Sequence, residues 1–168
     1  MRKQPKGFSL IELLIVVAII LVIASIAIPN LLRSRIAANE ASAVGSLRAI
    51  NTAQVTYALT YPSNGFAYAL SFLGGTGTYA TYVHALLVDP VLACPNSLTP
   101  STPCPKDGYN FVISNVVWAP DGSVSGYQTT ATAITEDGTG KRYFFSDTSG
   151  VIRYNTSAIA TVNDEPLQ

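Results

Sequence analysis

Charge is scarce in this sequence: 12% of its 168 residues are Asp, Glu, Lys or Arg, against roughly 25% in an average soluble protein. The ten basic residues cancel the ten acidic ones. That balance excludes the basic footprint of a nucleic-acid binder, so no direct nucleic-acid site is expected. Histidine occurs once, as His84, and cysteine twice, which is too little for a His-rich or Cys-rich metal centre. Gly74-Gly75-Thr76-Gly77 and Asp137-Gly138-Thr139-Gly140-Lys141 lack the Lys-Ser/Thr ending of a phosphate loop and read as turns. Asp137 and Asp147 lack EF-hand spacing and are likewise assigned to turns. The residues therefore predict no catalytic group, no metal and no cofactor, and they argue against a cytosolic enzyme.

What is present is a lopsided distribution of apolar residues. Between Phe8 and Leu32 the one charged side chain is Glu12, and Arg2, Lys3 and Lys6 stand just ahead. A helix over this stretch, at about 1.5 Å per residue, spans the roughly 30 Å hydrocarbon core of a bilayer. The basic flank predicts an N-terminus on the cytoplasmic side. A cleaved secretory signal is the ordinary alternative, but its apolar part is usually about 7–15 residues. Ser25-Ile26-Ala27 is also a weak peptidase site.

Glu12 is the informative residue. A carboxylate at the centre of a membrane helix costs on the order of 2.5–3.5 kcal/mol; Glu12 lies nearer the end, where the cost is smaller but a partner is still wanted. No basic or histidine side chain follows until Arg33. Two readings stand open: the carboxylate reaches back to the interface headgroups, or it pairs with a positive group on another copy of the chain.

The string Lys6-Gly7-Phe8-Ser9-Leu10-Ile11-Glu12, followed by the aliphatic run and Pro29, resembles the N-terminus of type IV prepilins and their pseudopilin relatives. The resemblance covers about the first 35 residues closely and the remainder in outline. It implies a prepilin peptidase that cuts between Gly7 and Phe8, N-methylation of Phe8, and a Glu12 that meets the free amine of a neighbouring subunit during filament growth. It further implies a precursor held by lipid in the cytoplasmic membrane, the inner-membrane assembly machinery as partner, and an extracellular helical homopolymer as product. Adhesion, surface motility or DNA uptake are the roles such a pilus supports. A type II secretion pseudopilin shares the same N-terminus and is the alternative; a membrane-anchored or secreted binding domain is a third. Independently of the family, Phe8 and Glu12 are four residues apart and share a helix face.

Pro29 removes a backbone donor and crowds the preceding turn, so a kink or local melting is expected around residues 25–28. Beyond it the apolar positions Leu32, Ile36, Ala43, Leu47, Ile50, Gln54, Tyr57 and Tyr61 form one helical stripe, with Arg33, Arg35, Glu40, Arg48 and Asn51 on other faces. Such a stripe needs a sheet to cover it, and Tyr61-Pro62 ends the helix.

The expected fold is α+β: a long N-terminal helix, its first half transmembrane, whose second half packs on a small antiparallel sheet. In order the chain reads as a removable basic leader (1–7), an assembly helix (8–29), an amphipathic helix (30–61) and a connecting region with little regular structure (62–108). A four-stranded β-meander (109–154) and a loosely held polar tail (155–168) follow. Ala80–Val88 is expected as a short helix stopped by Asp89-Pro90. Cys94 and Cys104, outside an oxidising membrane and without companion ligands, are expected to form a disulfide. In many pilins the paired cysteines enclose a C-terminal loop; here they precede the meander. Asn155-Thr156-Ser157 fits a glycosylation sequon of low specificity.

Overall fold

The computed structural model describes residues 8–75, 79–94 and 99–167. The leader, including Gly7, lies outside the described residues, as do Thr76, Gly77 and Pro95. A helix α1 (Leu10–Thr60) is followed by two single turns of helix, α2 (Leu70–Leu73) and α3 (Pro90–Ala93). Six strands come next: β1 (Cys104–Lys106), β2 (Tyr109–Trp118), β3 (Val124–Ala133), β4 (Tyr143–Asp147), β5 (Arg153–Asn155) and β6 (Glu165–Pro166). Two units divide the chain, Met1–Arg35 and Ile36–Gln168.

In the first unit the described residues are helix, and every large apolar side chain from Phe8 to Leu32 is exposed. α1 is long and apolar enough to cross a membrane, and none of its apolar window is buried within the chain. Pro29 lies inside α1, and residues 25–28 ahead of it are helical. The Ser25 hydroxyl donates to the Val22 carbonyl at 2.7 Å, and Pro29, having no N–H, gives the Ser25 carbonyl no donor.

In the second unit the remainder of α1 lies on an antiparallel sheet whose strands follow chain order, β1-β2-β3-β4-β5-β6. The α+β architecture is the expected one. Alternation places Tyr109, Phe111 and Ile113 of β2, Tyr127 and Ala131 of β3, and Phe144 of β4 in the core. Ala43, Leu47, Ile50, Ala53 and Tyr57 of α1 meet them there. Burying each large aliphatic side chain contributes about 1.5–3 kcal/mol, so the stripe fixes which face of α1 is inward. Gln54, though polar, belongs to that face: its amide exchanges two bonds with the Ala67 backbone, both 2.8 Å.

Several boundaries differ from the sequence expectation, each for a local reason. No helix forms over Ala80–Val88; the chain there makes turns, with Thr81 and His84 exchanging backbone bonds. Asp89-Pro90 starts a helix instead of stopping one. The Asp89 carboxylate accepts from the Val91 and Leu92 amides at 3.1 and 3.0 Å, and Pro90 occupies the first helical position, where it has no donor to lose. The connecting region is less bare than expected, holding α2, α3 and β1.

The meander has six strands, not four, because β1 and β6 pair along its two edges. Both edge strands are short and both contain a proline, Pro105 and Pro166. The tail is accordingly tied down. Asp164 accepts from the Thr161 amide and hydroxyl at 2.6 and 2.8 Å and from the Asn155 amide at 2.7 Å. Leu167 donates to the Ile152 carbonyl.

Candidate assembly site

The start of α1 is built by Ser9 and Glu12. Ser9 immediately precedes the helix and Glu12 is its third residue, the Ser-x-x-Glu spacing of a capping box. The Ser9 amide donates to Glu12 Oε2 at 2.8 Å. A carboxylate here also faces the positive end of the helix dipole. In the single subunit, therefore, the Glu12 carboxylate accepts from its own chain's backbone. Phe8, one residue ahead, is 79% exposed. Four residues separate Phe8 from Glu12, so the two share a face; Pro29 lies more than four turns further along α1.

Cys94 and Cys104 form a disulfide with their Cα atoms 5.6 Å apart. It joins the residue that closes α3 to the first residue of β1, as the compartment argument expects. Asn155, the residue of the apparent sequon, is committed at both ends of its amide. Its Oδ1 accepts from the Ser157 and Ala158 amides at 2.9 and 3.2 Å, and its Nδ2 donates to Asp164 at 2.7 Å. His84 has a buried Nδ1 with no hydrogen-bond partner and packs against Gly75. Among the described residues no three His, Cys, Asp or Glu side chains lie close enough together to hold a metal.

Sequence reasoning missed the polar anchor of the head. Glu40, expected on a face other than the apolar stripe, is buried. It accepts from Arg142 Nε at 2.7 Å and from the Lys141 and Arg142 amides at 2.9 and 3.2 Å. Burial works to raise its pKa, but the bonds from Lys141 and Arg142 outweigh that and hold the carboxyl below its ordinary value. The Arg142 guanidinium lies over the rings of Phe144 and Tyr154, 5.4 and 5.7 Å from their centroids. Its carbonyl accepts from the Tyr109 hydroxyl at 2.9 Å. A side chain at Gly140 would run into that tyrosine. The signal was available: the stripe steps by seven from Ile36 to Ala43, and Glu40 fills that gap at the helical spacing of four and three.

Comparison with known proteins addresses the N-terminal part. The family described as the prokaryotic N-terminal methylation motif matches residues 2–28. The type IV major pilin protein PilA of Myxococcus xanthus is 46% identical over 54 residues, which is 32% of this chain and 24% of that protein. The type IV wide pilus major component PilA4 of Thermus thermophilus is 58% identical over 38 residues, 23% of this chain and 29% of that protein. The chain thus aligns with about a quarter of the length of these curated relatives. No solved structure matches the chain. Over its N-terminal third the chain is thus similar to type IV major pilins, and its long apolar helix ahead of a small antiparallel sheet is the architecture that resemblance implies.

Proposed function

We propose that the chain is the structural subunit of a type IV pilus, made as a precursor in the cytoplasmic membrane with its N-terminus cytoplasmic. A prepilin peptidase removes residues 1–7 between Gly7 and Phe8, and the new amine on Phe8 is methylated. The inner-membrane assembly machinery then transfers the subunit from lipid into an extracellular helical homopolymer.

The observation that carries this reading is Glu12, the one acid between Phe8 and Leu32, a stretch whose large apolar side chains are all exposed. Exposed aliphatic surface is stable in lipid or against other copies of the same helix; at roughly 25 cal/mol per Å², burial among copies accounts for cohesion. Cohesion of this kind does not choose a register. A carboxylate does: cleavage creates an amine on Phe8, and in a staggered parallel stack that amine meets the Glu12 of a neighbour in a medium of low dielectric. Glu12 then exchanges its own Ser9 amide for a full charge. Pro29, with its missing donor, supplies a place where α1 yields as subunits pack. Polymers of this kind hold their heads outward, where adhesion, surface motility or DNA uptake are carried out.

The test is the mass of the subunit in filaments sheared from the cell surface. The reading requires an N-terminus at methylated Phe8. A chain that retains Arg2–Gly7, or one released as a soluble monomer that starts beyond Glu12, refutes it.

A further inference from the structure

Three strands and the tail enclose a cleft on the face of the sheet turned away from α1, wholly within the unit Ile36–Gln168. Tyr127, Thr129 and Ala131 of β3 are buried, so Gln128 and Thr130 between them point to the other side. Register brings Ser114 of β2 opposite Gln128, and Phe145 of β4 opposite Thr130, on that same side. The tail forms the facing wall. Ala160 is buried there, while Ile159 and Val162 are exposed. The cleft measures about 430 Å³, within the roughly 300–1,000 Å³ of small-molecule sites.

Strand β2 departs from regular geometry where it meets this cleft. Alternation would send Asn115 to the α1 side, with Tyr109, Phe111 and Ile113. Instead its φ is 46°, a left-handed conformation that asparagine tolerates better than most residues. Pairing with β3 shifts register between Ser114 and Val117, and Asn115 lines the cleft beside Ser114. Bulges of this kind re-aim a side chain next to a functional site. The Asn115 amide then donates to Gln128 Oε1 at 2.6 Å. Gln128 Nε2, Asn115 Oδ1 and the hydroxyls of Ser114 and Thr130 have no hydrogen bond among the described residues. Together they present both donors and acceptors to the cleft.

None of the described lining residues is charged. Three charged residues adjoin the cleft, and each is engaged. Asp147, opposite Gln128, accepts from Ser149; Asp164 holds Thr161; Arg153, opposite Phe145, donates to the Asp164 carbonyl. Such a lining does not repay the desolvation of a phosphate or carboxylate. A purely apolar ligand would strand the unpaired amide and hydroxyl groups. Strand addition by a peptide is closed as well, because β3 is paired on both sides, by β2 and β4. The chemistry that remains is a ligand with several neutral hydroxyl or amide groups on one side and C–H on the other. Polar tips about 5 Å apart across strands and roughly 7 Å along them suit the substituents of a sugar ring.

We propose that this cleft binds a neutral saccharide of one or two rings. Its hydroxyls bond to Asn115, Gln128, Thr130 and Ser114, and its C–H side rests on Ile159 and Val162. The site goes beyond the polymer reading and does not depend on it.

The experiment is a titration of the full-length, isotope-labelled chain in a detergent without a sugar headgroup, followed by its backbone and side-chain amide resonances. Maltose, lactose and N,N′-diacetylchitobiose are the neutral probes; glucuronate, inorganic phosphate and acetyl-trialanine amide are the contrasts. At least one neutral probe is expected to give saturable shifts at the Asn115 and Gln128 side-chain amides and at residues 159–162, with a Kd on the order of 1 mM. Thr130→Val and Gln128→Leu, which keep the volume and lose the polar group, should each weaken that binding about fivefold to tenfold. Asn115→Gly keeps the left-handed backbone and should weaken it likewise. Thr132→Val, on the same face but outside the cleft, should leave it unchanged; unshifted resonances in β2 and β4 of each variant verify the fold. Absence of saturable shifts from every neutral probe up to roughly 100 mM, a hundredfold above that Kd, overturns the proposal. Equal or tighter binding of glucuronate, phosphate or the peptide at these resonances overturns it too. Sugar binding that Thr130→Val, Gln128→Leu and Asn115→Gly all leave intact lies elsewhere on the chain and overturns this site.

Discussion

Glu40 and Arg142, separated by 102 residues in sequence, meet at 2.7 Å where α1 joins the sheet. The pair is asymmetric, with 9% of the Glu40 side chain exposed and 35% of Arg142. The glutamate is the buried partner, and every donor it needs comes from one segment, residues 141–142. Removing either partner strands the other.

Glu40→Ala should destabilise the head by about 1–3 kcal/mol, less than a fully buried pair because Arg142 keeps contact with water. Glu40→Gln should cost less, since the amide still accepts from the two backbone donors. The bonds from Lys141 and Arg142 hold the folded carboxyl below its ordinary value, so its contribution is complete above that ordinary value and is lost as pH falls through the lower, folded one. Denaturant melts from pH 7 down to pH 3 should show wild type losing stability at the acid end more steeply than Glu40→Gln. Parallel curves for the two would remove Glu40 from the anchor.

Glu12 caps its own helix and, in the function proposed above, meets an amine on a neighbour. Glutamine at the third helical position retains the cap but carries no charge. Glu12→Gln should therefore leave helix content and membrane insertion as in wild type while filament yield falls as it does in Glu12→Ala. Full piliation of Glu12→Gln would show that the cap, not the charge, is what matters.

The disulfide closes a short loop, with Cys94 and Cys104 ten residues apart. In the chain-entropy treatment such a loop contributes about 2–3 kcal/mol. Cys94→Ser with Cys104→Ser should lower head stability by that order and leave α1 helical, as read by denaturant titration and circular dichroism. Non-reducing peptide mapping of the wild-type chain should recover the two cysteines in one linked fragment.

The tail depends on Asp164. Its pKa is lowered by bonds from the Thr161 amide, the Thr161 hydroxyl and Asn155, so the tail should loosen as pH falls and the carboxylate is protonated. Asp164→Ala should speed amide exchange across 155–164 without changing exchange in β2 and β3. The same variant frees the Asn155 amide; in wild type, glycosylation at Asn155 should be absent by mass spectrometry.

The first thirty residues were legible because a bilayer imposes one requirement, length and apolarity, which composition displays directly. The inward stripe of α1 was legible from its spacing, and the β2–β3 and β4–β5 turns from Asp-Gly and Ser-Gly. Illegible were features whose local chemistry serves two purposes. Asp-Pro both ends a helix and begins one, and only the packing of Leu92 and Ala93 in the core decides for α3. Cys-Pro-Lys and Glu-Pro have no strand propensity; β1 and β6 exist because β2 and β5 offer open edges to residues delivered there by the disulfide and by Asp164. Glu40 interrupts an apolar pattern and is indistinguishable from a solvent residue until its partner, far along the chain, is known.

The prolines at the two margins of the sheet have a further consequence. Pro105 and Pro166 sit in the outermost strands, where an amide would otherwise face outward and recruit a foreign strand. Crowding many such domains at one surface is the situation in which β-proteins fuse into insoluble aggregates. In β1 and β6 each edge strand is short and its proline leaves one donor fewer for a stranger to join.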